Sequence, residues 1–222
     1  MTGPASPGDT ERIGAMLKAR LLPIMAAGVA AAVAGCSSSA PTGQGSAEVK
    51  VNTVSGYELP GGYSSALDHQ GNDAIFTAVV RDLLPAKKFA AKAAGDGVSV
   101  AYVYTPVRAE IATVLKRGSR NLQPGQLVTL RVMGGTTATD RTINEITAGP
   151  DLYQAGLTVQ IFSQPPFVDP DTGEVQYVPN WSFAQSADHK SLANLHEPSV
   201  TIPVDTARVR AQQKAGKSGW EK

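Results

Sequence analysis

Along most of the chain, short runs of hydrophobic residues end at Gly, Pro or Asp turns, and the spacing within the runs is that of strands. Residues 74–80 (AIFTAVV) are apolar and rich in β-branched and aromatic side chains, which predicts a buried strand. The turn at 71–73 and Pro85 leave little room there for a helix. A second run, 98–104 (VSVAYVY), follows Gly95-Asp96-Gly97. In 108–115, Ala109, Ile111, Thr113 and Leu115 share one face, with Glu110 and Ala112 on the other. In 126–133, Leu127, Thr129, Arg131 and Met133 alternate with Val128, Leu130 and Val132 until Gly134-Gly135 stops the run. Further strands are expected at 157–162, 175–178 and 200–204. About seven strands between such turns predict an all-β fold, a single small β-barrel or sandwich. One or two short helices accompany it. Residues 63–69 form one turn, and 86–94 (AKKFAAKAA) read as a helix or a solvated connector. Segment 182–196 has room for another turn, and a helix starting after an N-cap at Asp205 frays into a polar tail.

The first 47 residues follow a different pattern. Lys18 and Arg20 precede an uncharged stretch from Leu21 to Gly35, which ends in Val33-Ala34-Gly35-Cys36 and then three serines. As a helix these fifteen residues would span roughly 22 Å, short of the roughly 30 Å of a bilayer core. An export signal fits that length better than a permanent transmembrane span. The aliphatic–small–small–Cys ending resembles the lipobox of bacterial membrane lipoproteins. The resemblance implies cleavage after Gly35 and acylation of Cys36, giving a protein anchored by lipid on the extracytoplasmic face of the cell membrane. Residues 1–15 carry Asp9 and Glu11 ahead of the basic segment, which weakens the charge bias of an export signal. They are therefore expected to be an extension, with translation starting at Met16. The expected organisation is a signal peptide at 16–35, a lipidated Cys and Ser/Gly-rich linker at 36–48, an all-β domain at 49–206, and a polar tail at 207–222.

Composition narrows the classes. The chain is 42% hydrophobic with net charge +1, too apolar and too neutral to be wholly disordered. From Cys36 onward 17 basic and 17 acidic side chains balance, so no nucleic-acid partner is expected. One Cys cannot close an intramolecular disulfide, and with three scattered His no zinc site, other metal or cofactor is expected.

Four segments together carry a second resemblance: 73–80 (DAIFTAVV), 109–118 (AEIATVLKRG), 125–135 (GQLVTLRVMGG) and 155–162 (AGLTVQIF). They are similar to a widespread uncharacterised domain of secreted bacterial proteins. That likeness implies a small OB-like barrel over about residues 63–205 and implies no reaction. Arg117, inserted before Gly118, departs from the pattern.

Candidate chemistry is sparse. Residues 169–174 (DPDTGE) superficially resemble a calcium loop, but Glu174 stands where a loop of that kind needs Gly, so a hairpin turn is expected. Asp188, His189, Ser191, His196 and Glu197 contain the residue types of a Ser/His/Asp triad without a nucleophile elbow, and read as polar loop residues. No catalytic residue is assigned. Tyr177, Trp181 and Phe183 are spaced as a core segment or as an aromatic platform for a sugar, peptide or partner surface. The expected function is a non-catalytic binding or interaction module for an envelope protein or polymer. The competing expectation is an envelope hydrolase whose carboxylates are gathered only by the fold.

Overall fold

A computed structural model describes residues 48–55, 61–92 and 99–218. Gly35, Cys36 and everything expected of residues 1–47 lie outside the described residues. The elements are β1 (Lys50–Val54), α1 (Tyr63–Asp68), β2 (Ala74–Leu83), β3 (Lys87–Lys92), β4 (Ser99–Lys116), β5 (Leu127–Met133), β6 (Gly135–Thr136) and β7 (Asp140–Asn144). After a 3-10 turn at Pro150–Leu152 come β8 (Thr158–Ser163), β9 (Phe167–Val168), β10 (Val175–Tyr177), β11 (Pro179–Gln185), β12 (Ser191–Asn194), β13 (Thr201–Pro203) and α2 (Val204–Ser218). Among the described residues the fold is therefore mostly β with two α-helices, and sandwich-like.

Four expectations change. The runs at 98–104 and 108–115 are one 18-residue strand, β4, with Pro106 near its middle. Pro106 has no N–H to give, and the register against β2 slips close by, between Val80 and Asp82. Residues 86–94 are mostly β3 and not a helix, because pairing with the first half of β4 outweighs local propensity. Residues 182–196 form the β11–β12 hairpin instead of a helical turn. The helix expected after Asp205 is α2, which begins at Val204, runs to Ser218 instead of fraying early, and buries Ala207 and Ala211; 219–222 lie outside the described residues.

The main sheet runs β13-β12-β11-β8-β2-β4-β5-β10-β9, with β3 on β4 off this path. The path is open, ending at β13 and β9. Neighbours are antiparallel except β10 on β5. Only Val178 separates β10 from β11, so the segment 175–185 pairs with β5 at one end and with β8 at the other. Around this curl lies an aliphatic core of Phe76, Val80, Val107, Ile111, Leu130 and Ile161, with Tyr153 and Tyr177 closing it. A second cluster sits where α1 and α2 cover the β11–β12–β13 end. Tyr63, Phe162 and Phe183 meet edge-to-face there, with ring centres 5.3–5.7 Å apart.

A separate three-stranded sheet, β1-β7-β6, lies against the β4–β5 side. Its inner face is polar and fully engaged. Lys88 Nζ donates to both Asp140 oxygens (2.9 and 2.8 Å), and Thr142 Oγ1 accepts from the Val103 N–H at 2.7 Å. Gly134 and Gly135, at φ +115° and +126°, turn the chain from β5 into β6. A Cβ on Gly135 would fall 2.6 Å from Thr105 Oγ1, so the Gly-Gly pair is needed for both reasons.

Candidate functional site

The connection after β7 is organised by one side chain. Asn144 Oδ1 accepts from the backbone N–H groups of Ile146 (3.0 Å) and Thr147 (3.4 Å), and Asn144 Nδ2 donates to Thr147 Oγ1 (2.7 Å). Asn suits such a turn because its amide supplies partners that the bent backbone lacks. The same device recurs after β12. There Asn194 Oδ1 accepts from the His196 and Glu197 N–H groups (2.8 and 3.3 Å), while Asn194 Nδ2 donates to the Gly61 carbonyl (2.9 Å). Both loops line one narrow cleft of about 20 Å³, beside Trp181.

The 144–149 loop separates two larger recesses. On one side a cavity of about 160 Å³ is walled by Val132, Met133, Ile146, Val178 and Pro179, with Asn144, Gln164 and Asn180 as its polar groups. On the other side an open groove of about 500 Å³ passes Gly135, Arg141, Asp151, Leu152 and His196. Apolar walls with a few placed amides hold a ligand by shape and orient it by hydrogen bonds. Asn180 is itself fixed from behind: its Nδ2 donates to Asn72 Oδ1 (3.1 Å), and Gln164 Nε2 donates to its Oδ1 (2.6 Å). Neither loop was visible as a site in the sequence. The signals were the Asn-x-Ile-Thr and Asn-x-His-Glu spacings, which are turn chemistry and name no ligand.

Arg131 also borders the small cavity, yet its guanidinium is turned into an aromatic box. Its Cζ lies 3.7 Å from the Tyr104 ring centre, 4.1 Å from Phe167, 4.6 Å from Phe89 and 5.4 Å from Tyr102. Nη1 donates to Gln176 Oε1 at 2.8 Å, and Nε and Nη2 both donate to the Tyr102 hydroxyl at 3.3 and 3.2 Å. Only 3% of the residue is exposed. Among the described residues no carboxylate lies within ion-pair distance of it. Ring quadrupoles and three neutral hydrogen bonds take the counter-ion's place.

The 169–174 segment is the expected hairpin turn between β9 and β10. Burial pushes the Asp169 carboxyl up. The N–H groups of Asp171 and Thr172 and the hydroxyls of Thr172 and Tyr104 outweigh that and leave it below its usual value. Glu174 is also held low, chiefly by the Thr129 hydroxyl at 2.6 Å and then by the Gln176 amide against some burial, with Lys87 adding its charge. Held low, both carboxyls favour the charged form that accepts these hydrogen bonds.

The other sequence candidates fall into place as structure. Tyr177, Trp181 and Phe183 are all buried and form no exposed platform. Tyr177 packs edge-on to Phe76, Trp181 sits between His69 and Phe162, and Phe183 lies in the second cluster. The segment is covered on both faces, and across the register shift between Pro179 and Trp181 it delivers Tyr177 to the aliphatic core and Trp181 and Phe183 to the second cluster. Asp188 caps its own hairpin turn, accepting from the Ser186 hydroxyl (2.6 Å) and the Lys190 N–H (3.1 Å). His189 supplies that turn's left-handed residue at φ +59°. The Ser191 N–H donates to Ser186 Oγ in the same turn, while His196 and Glu197 belong to the β12–β13 connection, so the structure assembles no triad from them. Among the described residues no three His, Cys, Asp or Glu side chains come together as a metal site, and no helix is long and apolar enough to cross a membrane.

The chain matches no family model, and no curated protein is similar to it.

Proposed function

We propose that this chain is a bacterial cell-envelope lipoprotein, held on the extracytoplasmic face of the cell membrane through acylated Cys36, and that its β domain is a non-catalytic binding or interaction module. One sequence observation carries the anchor: Lys18 and Arg20, then fifteen uncharged residues, then Val33-Ala34-Gly35-Cys36. Two acyl chains on one cysteine hold a protein where one alone is marginal. The module reading is supported by the recesses on either side of the 144–149 loop, whose walls combine apolar side chains with fixed amides. Its occupant is an envelope protein segment or polymer, met by shape and hydrogen bonds and not by net charge. The OB-like barrel belongs to the same proposal, supported by the way 175–185 reaches both β5 and β8.

Detergent phase partitioning tests the anchor. Wild type is expected in the detergent phase and Cys36→Ser in the aqueous phase, and equal partitioning overturns it. A photocrosslinker at Thr147, compared with one at exposed Leu127, tests the module in intact cells. An envelope component trapped only from Thr147 supports the reading, and identical patterns from both positions defeat it.

A further inference from the structure

Three recesses meet at one side chain. Thr147 lines the cavity of about 160 Å³, the open groove of about 500 Å³ and the narrow cleft beside Trp181. Its Oγ1 accepts from Asn144 Nδ2 at 2.7 Å, and among the described residues nothing accepts its own proton. A hydroxyl has one donor and two acceptor sites, so Asn144 fixes the oxygen and leaves the O–H for a ligand carbonyl. Gln164 is engaged through one end of its amide. Its Nε2 donates to Asn180 Oδ1 at 2.6 Å, which leaves Oε1 as an acceptor at the cavity. One donor and one acceptor at the same recess are what a peptide unit pairs with.

The two larger recesses hold different chemistry. The cavity has apolar walls, and the guanidinium of Arg131 at its border is committed to the aromatic box. A dry apolar cavity of roughly 150 Å³ accepts a group about the size of benzene, so this one suits a single aliphatic side chain. The groove instead carries Arg141 and Asp151, both exposed. They do not pair with each other, and among the described residues no opposite charge pairs with either. Opposite charges left separate in one groove complement a partner that has both an acidic and a basic group. A sugar platform, by contrast, needs an exposed aromatic face. Among the described residues lining the three recesses the only aromatic rings are His196 and Trp181, and Trp181 is 5% exposed.

We infer that the recesses around Thr147 form one peptide site. The cavity takes an aliphatic side chain, Thr147 and Gln164 bond the adjoining peptide unit, and the groove takes an acidic residue against Arg141 and a basic one against Asp151. The inference rests on the module reading above and narrows the occupant to an extended segment of an envelope protein.

Its test presents full-length protein in detergent micelles with an immobilised positional-scanning set of N-acetylated, C-amidated hexapeptides. Peptidoglycan glycan strands stripped of their stem peptides are the second probe. The expected result is retention on hexapeptides that combine one Leu, Ile, Val or Met with one acidic and one basic residue. Replacing the aliphatic residue by Gly should lower retention about tenfold. Arg141→Glu should lower it about threefold and remove the acidic preference, and Asp151→Lys should do the same for the basic one. Both residues are exposed, so neither change burdens folding. Met133→Trp fills the cavity from its wall and should erase the aliphatic preference while both charge preferences stay, which also reports that the domain is folded. Charge preferences unmoved by the two reversals, an aliphatic preference that survives Met133→Trp, or retention on glycan strands in place of hexapeptides each overturn the peptide site. An envelope component still trapped only from Thr147 then leaves the module reading standing. Identical crosslinks from Thr147 and Leu127 defeat the module reading itself, and this inference with it.

Discussion

The aliphatic core and the Arg131 box are equally dry and are held by opposite physics. Around Phe76, Val80, Ile111, Leu130 and Ile161, stabilisation grows with apolar area removed from water and has no preferred direction. Around Arg131 a full charge is buried without a carboxylate, and every contact depends on orientation: ring faces toward the cation, Gln176 Oε1 toward Nη1, the Tyr102 oxygen toward Nε. The first tolerates repacking at constant volume. The second requires a cation of one shape. The core therefore sets how stable the domain is, whereas the box fixes where the β9–β10 hairpin lies against β3, β4 and β5.

Four measurements separate the two regions, from the largest expected effect to the smallest. Phe76→Ala empties the centre of the core and is expected to cost about 3–5 kcal/mol in chemical denaturation, whereas Phe76→Leu costs far less. In the box, Arg131→Ala is expected to cost about 2–4 kcal/mol, and Arg131→Met, which keeps the bulk but loses the cation and its donors, nearly as much. If Arg131→Met is instead as mild as Phe76→Leu, bulk alone fills the box and the contrast fails.

Acid is expected to loosen the box before the core. Asp169 and Glu174 sit below their ordinary values of 3.8 and 4.5, held there by hydrogen bonds that include Tyr104, Thr129 and Gln176. Asp140, lowered first by its bond to Lys88 and then by Thr139, behaves likewise beneath the small sheet. A carboxyl lowered in the folded state contributes stability above its unfolded value, and that contribution is lost as pH falls through the folded one. Hydrogen exchange below pH 4.5 should therefore rise first in 99–104 and 167–177, while the amides of β2 and β8 stay protected. Uniform loss of protection contradicts this. The weakest signal is spectroscopic. Burial pushes Tyr153 and Tyr63 up to about 12, against single opposing hydrogen bonds with Ser182 and Gln160. A phenol raised in the folded state gives stability below its unfolded value of 10 and loses it as pH climbs toward 12. A phenolate titration should show Tyr153 and Tyr63 appearing late, together with unfolding, with Tyr177 also held above its ordinary value by burial. Their ionisation near 10 in folded protein would count against the packing described.

The core was legible in the sequence and the box was not. Residues 74–80, 108–115, 126–133 and 157–162 announced β2, β4, β5 and β8 because each carries one continuous apolar stripe, and the stripes meet in the aliphatic core. Arg131, in contrast, occupies a position in the 127–133 alternation that a solvent-facing charge would also fill. Its burial depends on Phe89, Tyr102 and Phe167, each from a different strand. Phe89 itself was hidden, since AKKFAAKAA has the propensity of a helix and becomes β3 only because β4 offers an edge. The recesses beside 144–149 stayed invisible for the same reason. The cavity is made by Met133, Val178 and Asn180 and the groove by Gly135, Leu152 and His196, residues that no sequence spacing brings together. The aromatic residues 177, 181 and 183 read as a core segment or a platform, because their spacing alone is compatible with both, and the structure buries all three.

The two helices have a consequence for how the molecule comes into being. Lys214 grips Asp68 at 2.6 Å and Arg210 reaches Ser64 at 2.7 Å, each across 146 positions of chain, while Ala207 and Ala211 seal the cluster around Tyr63. A nascent polypeptide emerging from its amino end cannot complete that cluster until its final helix is released. Tyr63, Leu67 and Phe162 stay partly uncovered until α2 follows them. Release of the fifteen residues of α2 is thus the event that latches the domain, and a nonsense codon before position 204 would leave the latch open.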